Sequence, residues 1–161
     1  MFSRTLVRLG LCAAVVVSFS PFVLSRAGGE AEKIKTELYK GKVVPLAKVM
    51  EKLGVKLDAD AAPHWLVLLS DDGKMYPLVK DDGARMFFKD DRLLNRPMRL
   101  TGRLLPGSQL LQVVEVHSYN QKNELQDVYY WCHICTIKRF EMKLCDCCGA
   151  PMELREEPVG K

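Results

Sequence analysis

Residues 97–117 read PMRLTGRLLPGSQLLQVVEVH. Met98, Leu100, Gly102 and Leu104 alternate with Arg99, Thr101 and Arg103. That period of two sends successive side chains to opposite faces of a strand, one inward and one toward solvent. Pro106-Gly107 turns the chain, and residues 109–117 (QLLQVVEVH) run back. This is the clearest strand pattern in the sequence, and it predicts a β-rich body.

Upstream of that hairpin the same kind of signal recurs in shorter pieces. Residues 42–44 (KVV) predict a first strand. Pro45 then opens a helix with Leu46, Val49, Met50 and Leu53 on one face, and Gly54 stands at the stop position. Residues 64–69 (HWLVLL) predict a buried strand, and Asp71-Asp72-Gly73 a tight turn into residues 74–79. A second Asp-Asp-Gly at 81–83 and a helical turn over 91–95 follow. Five or six short strands between residues 37 and 119 predict a small closed β-barrel, in a fold class that is mainly β (a β-rich α+β chain). The segment RLTGRLLPGSQLLQVVEV (99–116) resembles the closing hairpin of OB-fold domains; a small sandwich or an SH3-like barrel would share its alternation.

The N-terminus reads as an address. Residues 1–27 carry Arg4 and Arg8, a short apolar run from residue 9 to 19, a break at Pro21, and Ser25-Arg26-Ala27 with small residues suited to cleavage. This is the layout of a secretory signal peptide, and the 16-residue stretch 9–24 is short for a membrane anchor. Cys12 lies inside the apolar run rather than at its end, which argues against a lipid-attachment cysteine. The chain is therefore expected to be exported, to a periplasm, cell envelope or extracellular space. The full sequence carries 24 basic and 20 acidic side chains, a net charge of +4. Cleavage after residue 27 removes Arg4, Arg8 and Arg26 and no acid, leaving a net charge of +1. Without a positive field, nucleic acid is not an expected partner.

The chemistry concentrates at the other end. Five of the six cysteines fall within the 17 residues 132–148, in YYWCHICTIKRFEMKLCDCCGAPMELRE (129–156). Cys132 and Cys135 make one C-x2-C pair, and Cys145 and Cys148 a second. The nine residues between the pairs are long enough to fold back as a hairpin and bring four thiolates round one ion. A segment this short cannot bury enough apolar surface to fold alone, so it needs a staple. Two disulfides are the rival staple in an exported protein, but five thiols are an odd number. Iron, copper or redox use is a third option. His133 is expected on the surface. Cys147 is read as a spare thiol and a possible substitute ligand, with a reactive thiol helped by Lys143 as the alternative.

Residues 131–154 resemble a zinc ribbon of the rubredoxin-like kind, and LCDCCGAPMEL (144–154) resembles that family's second knuckle. The resemblance implies Cys132, Cys135, Cys145 and Cys148 as ligands of a structural Zn2+, with iron as the other candidate. Two departures stand out: Thr136 occupies the position where the first knuckle usually has glycine, and Cys147 adds a fifth thiol.

These readings give a signal peptide (1–27), a linker (28–36), an OB-like barrel (37–128), a zinc ribbon (129–154) and a tail (155–161). Tyr129, Tyr130 and Trp131 would tie the metal-stapled cap to the barrel. Asp71, Asp72, Asp81, Asp82, Asp90 and Asp91 are explained as turn and cap residues rather than a calcium loop. Arg92, Arg96, Arg99 and Arg103, with Tyr76, Phe87 and Phe88, are expected as a solvated strand face plus core aromatics, and His64 and His117 as structural strand histidines. The sequence holds no G-x-S-x-G, P-loop or H-E-x-x-H motif. The expected function is an exported, non-enzymatic binding or interaction protein for a protein or small ligand. The alternative is a thiol-based redox or metal-handling protein built on the 132–148 cluster.

Overall fold

Strand β1 (Glu37–Pro45) organises the sheet by pairing on both sides. Its first part, Glu37 to Lys42, runs antiparallel to β4 (Pro97–Leu104), and Gly41 to Pro45 runs antiparallel to β2 (Leu66–Ser70). The two ladders overlap at Gly41 and Lys42, and a β-carbon on Gly41 would lie 2.2 Å from the Leu69 carbonyl oxygen. Only glycine lets the neighbouring backbone approach that closely. The structure is a computed structural model and describes residues 34–160; the expected signal peptide and all but the last three linker residues lie outside it.

The remaining strands are β3 (Met75–Pro77), β5 (Leu111–Tyr119), β6 (Leu125–Cys132), β7 (Ile137–Arg139) and β8 (Glu153–Pro158). They join β1, β2 and β4 in one antiparallel sheet of order β3-β2-β1-β4-β5-β6-β7, with β8 also pairing β6. The hydrogen-bonded path is open. Leu78, just past β3, meets Leu111 at the start of β5 in a single parallel bridge, so the expected full closure into a barrel is reduced to that one contact. The alternation read in residues 97–117 is realised: Met98 and Leu100 are buried, and Arg99 and Thr101 lie on the other face. A bulge between Thr101 and Gly102 shifts the β4–β5 register and accommodates the extra residue, Val114, which is exposed.

Helix α1 (Leu46–Lys52) starts after Pro45 and stops before Gly54, as its punctuation predicts, but buries none of its residues completely. The strand expected over 64–69 begins only at Leu66. Pro63 holds His64 in a short 3-10 turn (Ala62–His64), so His64 is exposed and is not a strand residue. Two further 3-10 turns, Arg85–Phe88 and Asp91–Leu93, connect β3 to β4 and deliver Met86, Phe87 and Leu93 to the core. These join Val43, Leu68, Met98, Leu100, Leu111, Val128 and Tyr130 in one cluster, which continues without a break to Cys132, Cys145 and Met152.

That continuity bears on the organisation expected from sequence. β6 runs straight through positions 128 and 129, and residues 155–158, read as tail, form most of β8 and pair with β6. The described residues all fall within one compact unit. Among them, no helix is long and apolar enough to cross a membrane.

Candidate metal centre

Cys132 is the last residue of β6, and its side chain lies on the strand's buried face with Val128 and Tyr130. The chain turns over Cys132 to Ile137, which pair directly, and returns as β7. A second turn lies between Leu144 and Pro151, closed by a backbone bond from Cys145 N to Ala150 O of 2.8 Å. The two cysteine pairs sit in these two turns. One sulfur from each of Cys132, Cys135, Cys145 and Cys148 lies within 4.8 Å of the others, and Cys132 and Cys148 approach to 3.5 Å. Four sulfurs at about 2.3 Å from one ion stand roughly 3.8 Å apart, so the set fits a tetrahedral metal site.

The two turns are built alike. Thr136 N–H donates to Cys132 O at 2.8 Å, and Gly149 N–H donates to Cys145 O at 2.9 Å. Both residues have left-handed backbone, with φ of 52° at Thr136 and 72° at Gly149. Thr136 thus holds a left-handed backbone of the kind that favours glycine. Thr136 Oγ1 donates to the Cys135 carbonyl at 2.7 Å, a local bond glycine could not make.

Backbone donors turn toward sulfur in both turns. Cys135 N–H lies 3.4 Å from Cys132 Sγ. The backbone N–H of Cys148, and next that of Cys147, bring the Cys145 thiol down to about 7. Donors aimed at a sulfur favour its thiolate, the form that binds metal. The Cys135 thiol is pushed up by hydrogen bonding to the side chains of Cys147 and then Cys148, with burial adding to the effect. Metal binding takes the thiolate form, so an ion bound here displaces thiol protons.

Cys147 is exposed and stands outside the convergent set of four. Lys143 Nζ and Arg139 Nε reach Asp146, at 2.8 and 3.6 Å, and hold the second turn against the strand. His133 points away from the sulfurs: its Nε2 lies 2.7 Å from Glu153 Oε2, and Arg155 Nη2 lies 3.1 Å from its Nδ1. Its surface placement was legible in the sequence, but its partners on β8 were not, because they lie 20 and 22 residues away. Sequence reasoning also missed the clamps behind the site, Tyr130 to Asp90 and Arg96 to Glu156. Comparisons with protein-family models, with curated proteins and with solved structures gave no match, so the site is read from its own geometry.

Proposed function

We propose that this chain is an exported, non-enzymatic binding protein whose C-terminal segment folds around a structural zinc ion held by Cys132, Cys135, Cys145 and Cys148. The observation that carries the reading is the convergence of those four sulfurs from two matching turns. Four protein thiolates complete zinc's preferred shell and leave no open position for a reacting water, the mark of a structural rather than a catalytic site. Zinc suits a site of this donor set, and iron is the competing occupant. For the body, the strand order β3-β2-β1-β4-β5 with the parallel Leu78–Leu111 bridge supports the OB-like reading. Export rests on the layout of residues 1–27.

Metal analysis and a free-thiol count on mature protein recovered from its export compartment test this. About one equivalent of zinc and a single reactive thiol, Cys147, are expected. Two disulfides without metal would overturn the structural-zinc reading. Exposed Cys147, beside the cluster, favours one other use, thiol redox or metal handling. That use predicts reversible loss of metal with disulfide formation near the potential of the compartment.

A further inference from the structure

Where β1 and β2 pair, the sheet carries a thin second layer on the side away from the core. Val44 opposes Val67, and both are buried although they stand outside the main core cluster. Helix α1 begins two residues after Val44 and packs back on β1, and Leu46 N–H at its start donates to Trp65 O at 3.0 Å. No residue of α1 is fully buried, and large apolar side chains around it stay in solvent. Leu53 is 65% exposed, Val55 50% and Trp65 44%. One row along the same face, Lys42 opposes Leu69 and Leu69 opposes Met75, all three exposed. Five of the twelve large apolar side chains exposed among the described residues thus gather around this one layer, and such gathering marks a contact surface.

The cations here are all lysines. Residues 40–60 hold five, Lys40, Lys42, Lys48, Lys52 and Lys56, against Glu51, Asp58 and Asp60. All five lysines are exposed and none makes an ion pair. Asp58 is engaged within its own loop, accepting from Asp60 N–H at 2.8 Å. The arginines are used differently: Arg85, Arg92, Arg96, Arg139 and Arg155 each pair with a carboxylate.

Free lysines among exposed apolar side chains suit one kind of partner. Protein interfaces are depleted of lysine at their centres. At a bilayer surface the lysine stem lies along apolar groups while its ammonium reaches the headgroup phosphates, and tryptophan prefers the same zone. We propose that this face docks the protein on an anionic lipid bilayer. Leu53, Val55 and Trp65 enter the interfacial zone, and Lys42, Lys48, Lys52 and Lys56 meet lipid phosphates. The hold is shallow and reversible, since only a few side chains insert. With a mature net charge of +1 the attraction is local, and salt screens it beyond roughly 8 Å. Docking names a partner for the binding role proposed above and rests on that reading; the metal takes no part in it.

The test is flotation of residues 28–161, metal content as isolated, with vesicles of phosphatidylcholine alone or of phosphatidylcholine and phosphatidylglycerol in equal parts. The chain should float with the mixed vesicles, less so as salt rises, and stay in solution with phosphatidylcholine alone. Leu53→Glu, at an exposed position, should weaken binding about tenfold or more. Lys48→Gln combined with Lys52→Gln should do the same, by about tenfold. Brominated lipid should quench Trp65, an effect lost in Trp65→Phe. Ile134→Glu, equally exposed but on the first cysteine turn, should bind like the parent. The proposal is overturned if the mixed vesicles do not float the chain, or if phosphatidylcholine alone floats it equally. It is also overturned if the Leu53 and lysine variants bind like the parent, or if Leu53→Glu instead breaks a dimer seen by sedimentation. Metal analysis of the same sample keeps the readings apart: metal without flotation removes the membrane inference alone, and flotation without metal removes structural zinc alone.

Discussion

The Tyr130 hydroxyl donates to Asp90 Oδ2 across 2.6 Å in the core, two residues before the strand ends at Cys132. Asp90 belongs to the loop between β3 and β4, and Arg92 binds the same carboxylate through Nε and Nη2 at 2.8 and 2.6 Å. Burial, and then the Asp90 carboxylate, push the Tyr130 phenol up, so it remains a protonated donor. The strand that ends at Cys132, the first of the four clustered cysteines, is thereby fastened to the body.

Tyr130→Phe keeps the ring and removes the bond to a charged acceptor. A loss of about 1.5–3 kcal/mol is expected in urea unfolding. A loss below a few tenths would show that water replaces the hydroxyl.

The same carboxylate sets an acid limit on stability. The hydrogen bond from Arg92 lowers Asp90 from 3.8 to about 2; burial opposes the shift, and the Tyr130 hydroxyl adds to it. Because the folded value lies below the unfolded one, the contribution is complete above about pH 4 and is lost as pH falls through about 2. It amounts to at most roughly 2 kcal/mol, less after solvent screening of the exposed Arg92. Asp90→Asn should lower stability at neutral pH and flatten the acid limb of the pH–stability curve in that window.

Cys132→Ser and Cys145→Ser should each cut bound metal by half or more, while Cys147→Ser leaves it unchanged. Cys132 and Cys145 share a buried cluster with Tyr130 and Val128. Losing the ion should therefore lower the melting temperature of the whole chain rather than release residues 131–154 from a barrel that stays intact. Metal analysis beside thermal unfolding checks both points, and a Cys147→Ser protein with half its metal would promote Cys147 to ligand.

The matching turns at Thr136 and Gly149 predict unequal responses. Gly149→Val places a branched side chain in left-handed backbone and should cost about 1–2 kcal/mol. Thr136→Gly relieves that strain but adds chain entropy and loses the bond to Cys135 O, so a change under about 1 kcal/mol is expected. Metal content should stay the same in Thr136→Gly.

Glu156 on β8 is bound by Arg96, and Ser118 Oγ donates to it at 2.5 Å. Arg96→Ala leaves a half-buried carboxylate without its cation and should cost about 1–3 kcal/mol, with faster hydrogen exchange across residues 153–158. Arg155→Ala should also lose its ion pair with Glu157 on a more exposed surface, and is expected to change stability by less than about 1 kcal/mol.

Local chemistry made much of this protein legible in the sequence. The β4–β5 hairpin follows from alternation, helix α1 from Pro45 and Gly54, and the four sulfurs from two C-x2-C pairs. Each rests on spacings of a few residues, which backbone geometry converts directly into strand, cap or knuckle. His64 was misplaced because Pro63 overrode an apolar run. The residues after 154 read as a tail because their charged composition hides a strand whose partners on β6 lie 26 to 32 residues upstream.

The sequence by itself determined that the chain is mainly β and which four cysteines can share an ion. Only the tertiary structure decided that the four-cysteine cluster and the body share one core, that β8 is clamped by Arg96 and Ser118, and that Arg99, His117 and Asp127 line up across three strands. Those relationships depend on pairing register between distant segments. Register is set by which faces must be buried together, a property of the packed sheet rather than of any local stretch of sequence.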